Sequence, residues 1–108
     1  MEKKIGKIQS VHFGFGGYDN AMIGVSFSLG GKSWGTQDFW GDWSLERSER
    51  AKWSEEDRIK KLGEVVMKIN KTLKDANKSS VDDLIDVPIE VTFINNTLNS
   101  WRILTEVL

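Results

Sequence analysis

"AMIGVSFSLGG", residues 21–31, alternates cleanly: Ala21, Ile23, Val25, Phe27 and Leu29 share one parity, and Gly24, Ser26 and Ser28 the other. Successive side chains of a strand point to opposite faces, so this period of two predicts a half-buried β-strand. The upstream stretch "KIGKIQSVHFGF", residues 4–15, alternates only towards its end, with Val11, Phe13 and Phe15 on one face. Between them lies "GFGGYDN", residues 14–20, rich in the residues that turns require. The two strands therefore form a hairpin with a long tip. Downstream, "GGKSWGTQDFW" opens on a Gly-Gly turn and predicts a third strand from about Ser33 to Phe39, completing an antiparallel meander.

The pattern then changes period. In "WSEEDRIKKLGEVVMKINKTLKDAN", residues 53–77, Ile59, Leu62, Val66, Ile69 and Leu73 recur at steps of three and four. That spacing predicts an amphipathic helix with this stripe on the sheet. Ser54 is its expected N-cap, Glu55, Glu56 and Asp57 complement the positive end of the helix dipole, and Asn77 is its stop. "SSVDDLI" reads as a short capped turn. Pro88 opens a strand, "PIEVTFI", where a missing amide is tolerated. "NNTLN" reverses the chain, and "SWRILTEVL" is the last strand. The order β-β-β-α-β-β predicts an α+β fold: an antiparallel sheet with one long helix packed on it, in a single domain spanning residues 1–108.

Composition limits function. The 108 residues carry a net charge of -1 with no long run of one sign, so no whole-protein field attracts DNA or anionic lipid. There is no cysteine, hence no thiolate nucleophile and no cysteine-ligated zinc. The single His12 has the parity opposite to Val11 and Phe13 and reads as a surface or edge residue. No apolar run is long enough to span a bilayer, and the basic start lacks the apolar segment of a secretory signal, so the expected location is the cytoplasm. No nucleophile motif, Walker loop or calcium loop is present, and neither a catalytic role nor a cofactor is expected.

The densest signal is "FWGDWSLERSERAKW", residues 39–53, which reads as a connecting segment crowded with rings and arginines. Tryptophan offers a rigid face on which bases stack, and arginine a planar fork that matches phosphate. Each tryptophan could equally staple a loop to the core or bury in a subunit interface. As a site, the residues expected to bind ligand are Tyr18 and Asn20 at the hairpin tip with Trp40, Trp43, Arg47 and Arg50. At least one of Tyr18, Trp40 and Trp43 is expected to stack on a base, Arg47 or Arg50 to meet a phosphate, and Asn20 to read a base edge.

The segments "IGKI", "FGFGGYDNAMIG", "ERSERAKWSEEDR" and "PIEVTF…NTLNSWRILTEV" cover nearly the whole chain. They resemble a widespread group of small phage proteins of this length and ending, similar to the phage anti-CBASS sponge proteins. That resemblance implies a protein that sequesters a cyclic di- or trinucleotide without cleaving it. It also implies a homo-oligomer, dimer or tetramer, with sites between or near subunits. It carries no ligand residues over to this chain. A contact inhibitor of a host defence complex, such as an anti-CRISPR, is the alternative. A nucleic-acid-binding module fits the near-neutral charge less well.

Overall fold

A computed structural model describes residues 1–44 and 53–108. Five strands form one antiparallel sheet: β1 (Glu2–Gly16), β2 (Met22–Gly30), β3 (Gly35–Trp43), β4 (Pro88–Ile94) and β5 (Thr97–Ile103). Their spatial order is β3-β2-β1-β4-β5. A single long helix, α1 (Glu55–Ala76), covers one face. The α+β architecture and the β-β-β-α-β-β order follow the alternation and periodicity of the sequence.

The meander β1-β2-β3 forms as its alternation predicts, with Val11 opposite Phe27 and Val25 opposite Trp40. β1 is longer than its pattern suggests because its two halves have different neighbours. Residues 2–7 pair with β4, and residues 7–16 pair with β2. A register shift between Ile8 and Ser10 lets Ile8 and Val11, three apart, share the helix-side face. That bulge is why the alternation is legible only late in the segment. At the hairpin end, Tyr18–Asn20 form one 3-10 turn, in which Asp19 and Asn20 take positive φ. Asn95 and Asn96 do the same between β4 and β5, as a two-residue hairpin requires. The last strand ends at Ile103, and Thr105–Val107 turn as 3-10 helix rather than continuing it.

Both helix ends follow the sequence. The Ser54 hydroxyl accepts from the Asp57 amide at 3.1 Å, and Asn77 closes the helix in the left-handed conformation. The stripe does so only in part. Ile59 and Val66 are exposed, Val66 by 60%, and Met67 joins them on the outer face. Ile69 and Leu73 of the stripe do meet the sheet, joined there by Val65, Thr72 and Ala76. Small residues decide this rotation. Thr72 and Ala76 are buried because they let the helix backbone approach the sheet, and Thr72 satisfies its hydroxyl on the Lys68 carbonyl at 2.9 Å. Arg58, one residue from Ile59, also turns inward and donates to the Trp43 carbonyl at 3.2 Å.

The core is strand-built. Ile8, Val25, Phe27, Leu29, Ile89, Val91 and Ile103 are buried, with Leu84 and Val87 closing one end. No helix among the described residues is long and apolar enough to cross a membrane.

Candidate functional site

β3 runs on through Trp43, so Phe39, Trp40 and Trp43 belong to a strand and not to a connecting segment. Strand alternation then separates them. Trp40 faces the helix; Phe39 and Trp43 face the other side of the sheet.

Trp40 is only 8% exposed. Its ring stacks on Trp101 at 5.2 Å with an interplanar angle of 14°, and Phe27 packs against both. One carboxylate holds the cluster. Asp38 Oδ2 accepts from the indole Nε1 of Trp40 at 2.9 Å and of Trp101 at 2.8 Å, while Oδ1 accepts from the Phe39 amide at 2.9 Å. The buried Trp40 indole and the half-buried Trp101 indole both need an acceptor, and Asp38 supplies one for the two rings at once. Trp40 is therefore part of the core. Lys68 Nζ sits 4.3 Å from the Trp40 ring centroid, closing the outer side of the cluster. Trp34 is also structural: it packs edge-on to Phe93 and donates to the Ile5 carbonyl at 3.4 Å.

Tyr18 and Trp43 do come together. The hairpin tip and the end of β3 bring their rings to 6.5 Å, edge to face, and Tyr18 is 73% exposed. Asn20 lies in the same turn, its backbone N–H donating to the Gly17 carbonyl at 3.3 Å. Arg47 and Arg50 lie outside the described residues. Ser44 follows the end of β3, and its amide and hydroxyl both donate to the Ala21 carbonyl.

On the sheet face away from the helix, a groove of about 540 Å³ is lined by Ser10, His12, Gly17, Ser26, Ser28, Gln37 and Phe39. Register explains it. Ser10, Ser28 and Gln37 form one row across three strands; His12, Ser26 and Phe39 form the next. The following row is Gly14, Gly24 and Gly41. A Cβ on Gly41 would collide with the Phe39 ring, and one on Gly14 with the His12 ring. The bare row is where the two rings lie down. Beyond it come Gly16, Met22 and Trp43, so Trp43 and Tyr18 stand at one end of the same face. Alternation in β2 marks Ser26 and Ser28 as outward, but nothing in the sequence aligns them with His12 and Gln37.

A second cleft of about 320 Å³ opens beside Trp40, between β3 and α1, with Lys61, Glu64 and Lys68 on its helix side. A third, of about 220 Å³, adjoins it under Lys71 and Arg102. Arg102 is committed to structure. It is bonded to Glu106 and Glu90, which raises its pKa, and Glu106 is pulled down to about 2 by the Arg102 hydrogen bond. Lys71 is likewise paired with Asp75 at 2.6 Å.

No family model, no curated protein and no solved structure matches the chain.

Proposed function

We propose that the protein is a binding module that holds a small ring-bearing phosphorylated ligand intact, the class being a cyclic di- or trinucleotide. The observation that carries this reading is the Tyr18–Trp43 pair, an exposed tyrosine against a half-buried tryptophan, at the end of a groove lined with hydroxyls, an amide, an imidazole and a phenyl ring. Aromatic faces stack bases at about 1–3 kcal/mol each, and Ser10, Ser26, Ser28 and Gln37 offer donors and acceptors to base edges and sugars. The phosphates of such a ligand call for cations. Arg47 and Arg50 follow Trp43 closely in sequence, and Lys61 and Lys68 line the cleft on the other side of Phe39. In this reading the protein acts in the cytoplasm of an infected bacterial cell as a phage counter-defence sponge, which needs affinity and abundance but no chemistry.

Calorimetric titration with a panel of cyclic di- and trinucleotides tests this. Binding is expected at micromolar concentration or below, with the ligand recovered unaltered after heat denaturation. Tyr18→Ala and Trp43→Ala are expected to weaken binding roughly tenfold each, as the loss of one stacked base implies. Tyr18→Ala should leave the melting temperature in place, because that ring is exposed. No heat with any panel member at high micromolar concentration refutes the ligand class.

A second reading has its own observation. Ile59, Val66 and Met67 form an exposed apolar strip on the outer face of α1, next to Gly63, which has open space around it. Such a strip suits docking on another protein, as a contact inhibitor would use. Val66→Glu would abolish inhibition by contact and leave nucleotide binding unchanged.

A further inference from the structure

Every sheet has two edges that must be kept from pairing with other chains. Here the outermost strands are both blunted. On β3, the Phe39 and Trp43 amides are taken by the carboxylates of the preceding residues, Asp38 at 2.9 Å and Asp42 at 2.7 Å. On β5, Arg102 and its partners Glu90 and Glu106 place charge beside a short strand.

A third edge exists, because β4 covers only the first half of β1. Ile8 turns its N–H and C=O away from β2, to the Val87 carbonyl at 3.1 Å and the Asp86 amide at 2.7 Å. Following the β1–β2 register past the bulge, Val11, Phe13 and Phe15 occupy equivalent positions, so their N–H and C=O groups also point away from β2. Among the described residues, no backbone group pairs with them there. Residues 10–16, "SVHFGFG", hold no Lys, Asp, Glu or Pro. Phe13 is 54% exposed and Phe15 64%. This edge carries none of the devices that protect the other two.

We propose that residues 10–16 of β1 pair antiparallel with the same segment of a second copy, about a two-fold axis at Phe13, joining two sheets into one. The segment is complementary to itself in that register. Val11 faces Phe15 of the partner subunit, and Phe13 faces Phe13 of the partner subunit, so the exposed rings bury each other on the helix side. On the groove side, His12 faces Gly14 of the partner subunit, and Ser10 faces Gly16 of the partner subunit. A large side chain meets a bare backbone at each point. All three apolar pairs fall at hydrogen-bonded positions, giving about six interchain backbone bonds. A two-fold interface uses the same patch on both subunits, and this one is closed by construction. It also sets the two grooves side by side, with both copies of His12 along the seam.

The absence of cysteine makes the register directly testable. Sedimentation of the full chain at about 100 µM is expected to give twice the 12.3 kDa chain mass. Phe13→Cys places two thiols across the axis, roughly 5.5 Å apart at Cα, within disulfide reach. Phe15→Cys places them about four residues out of register, roughly 13 Å along the strand, and out of reach. Under mild oxidation the first variant is expected to crosslink at least tenfold faster than the second. Phe13→Glu sets two carboxylates face to face and is expected to give the monomer mass with unchanged far-ultraviolet dichroism. A monomeric wild-type chain overturns the proposal. So does a dimer in which both cysteine variants crosslink equally, whether or not Phe13→Glu folds.

Discussion

Replacing Asp38 with alanine tests the central packing argument. The carboxylate is the acceptor for Trp40 and Trp101 Nε1 and for the Phe39 amide. Without it, two indole N–H groups inside a ring cluster lose their partner. A buried donor left unsatisfied costs about 1–3 kcal/mol, so the pair costs about 2–6 kcal/mol. The Phe39 amide lies on the sheet edge and regains water, so it adds little. Against a total stability of about 5–15 kcal/mol, that is a large fraction. At about 4–8 °C per kcal/mol, the melting temperature should fall by at least about 8 °C. Urea titration followed by far-ultraviolet dichroism measures the change directly. Asp38→Asn keeps one acceptor oxygen for the indoles but turns an NH₂ towards the Phe39 amide, and should cost about half as much. Trp101→Phe keeps a ring in the stack and removes one donor. In that background Asp38→Ala should cost about 1–3 kcal/mol less than in the wild type, the coupling a double-mutant cycle isolates. A loss below about 1 kcal/mol for Asp38→Ala, or additive behaviour with Trp101→Phe, would refute the shared-acceptor account.

The rotation of α1 predicts that Val66→Ala changes stability by less than about 0.5 kcal/mol, while Ile89→Ala, at a fully buried position, costs about 2–5 kcal/mol; equal losses in denaturant titrations would put Val66 back on the sheet. The Arg102–Glu106 pair predicts a carboxyl titration. Hydrogen bonding to Arg102 lowers the Glu106 pKa from 4.5 to about 2, so the folded state holds its proton less tightly than the unfolded one. Its contribution is therefore present above pH 4.5 and is lost as the pH falls towards 2. The group is exposed, so the contribution is weak and screened by salt. Carbon-13 detection of the Glu106 carboxyl should show a midpoint well below 4.5 that returns towards 4.5 in Arg102→Ala; a midpoint unmoved by that substitution would break the assignment.

The candidate site was legible only in part. Tyr18 and Trp43 were marked by residue type, and the hairpin does unite them. Trp40 carried the same mark but belongs to the core, because one step along a strand reverses the face that a side chain meets. Ser10, Ser26, Ser28 and Gln37 carried no mark at all. Short polar residues are common, and they become a groove only when three strands align them.

Alternation in residues 21–31 and the step of three and four in residues 59–73 determined the α+β class by themselves, because each period commits the backbone locally. The caps did likewise: Ser54 and Asn77 act on amides and carbonyls within a few residues of themselves. Three other matters were decided by partners far away in the sequence. The bulge at Ile8 and Ser10 set which aromatics of β1 share the face of the core. The small residues Thr72 and Ala76 set the rotation of the helix, since close approach to a sheet favours residues that periodicity analysis passes over. Asp38 reads as one more polar residue on a strand. Its role as shared acceptor depends on Trp101, 63 positions away, and that distance is closed only by the folded sheet.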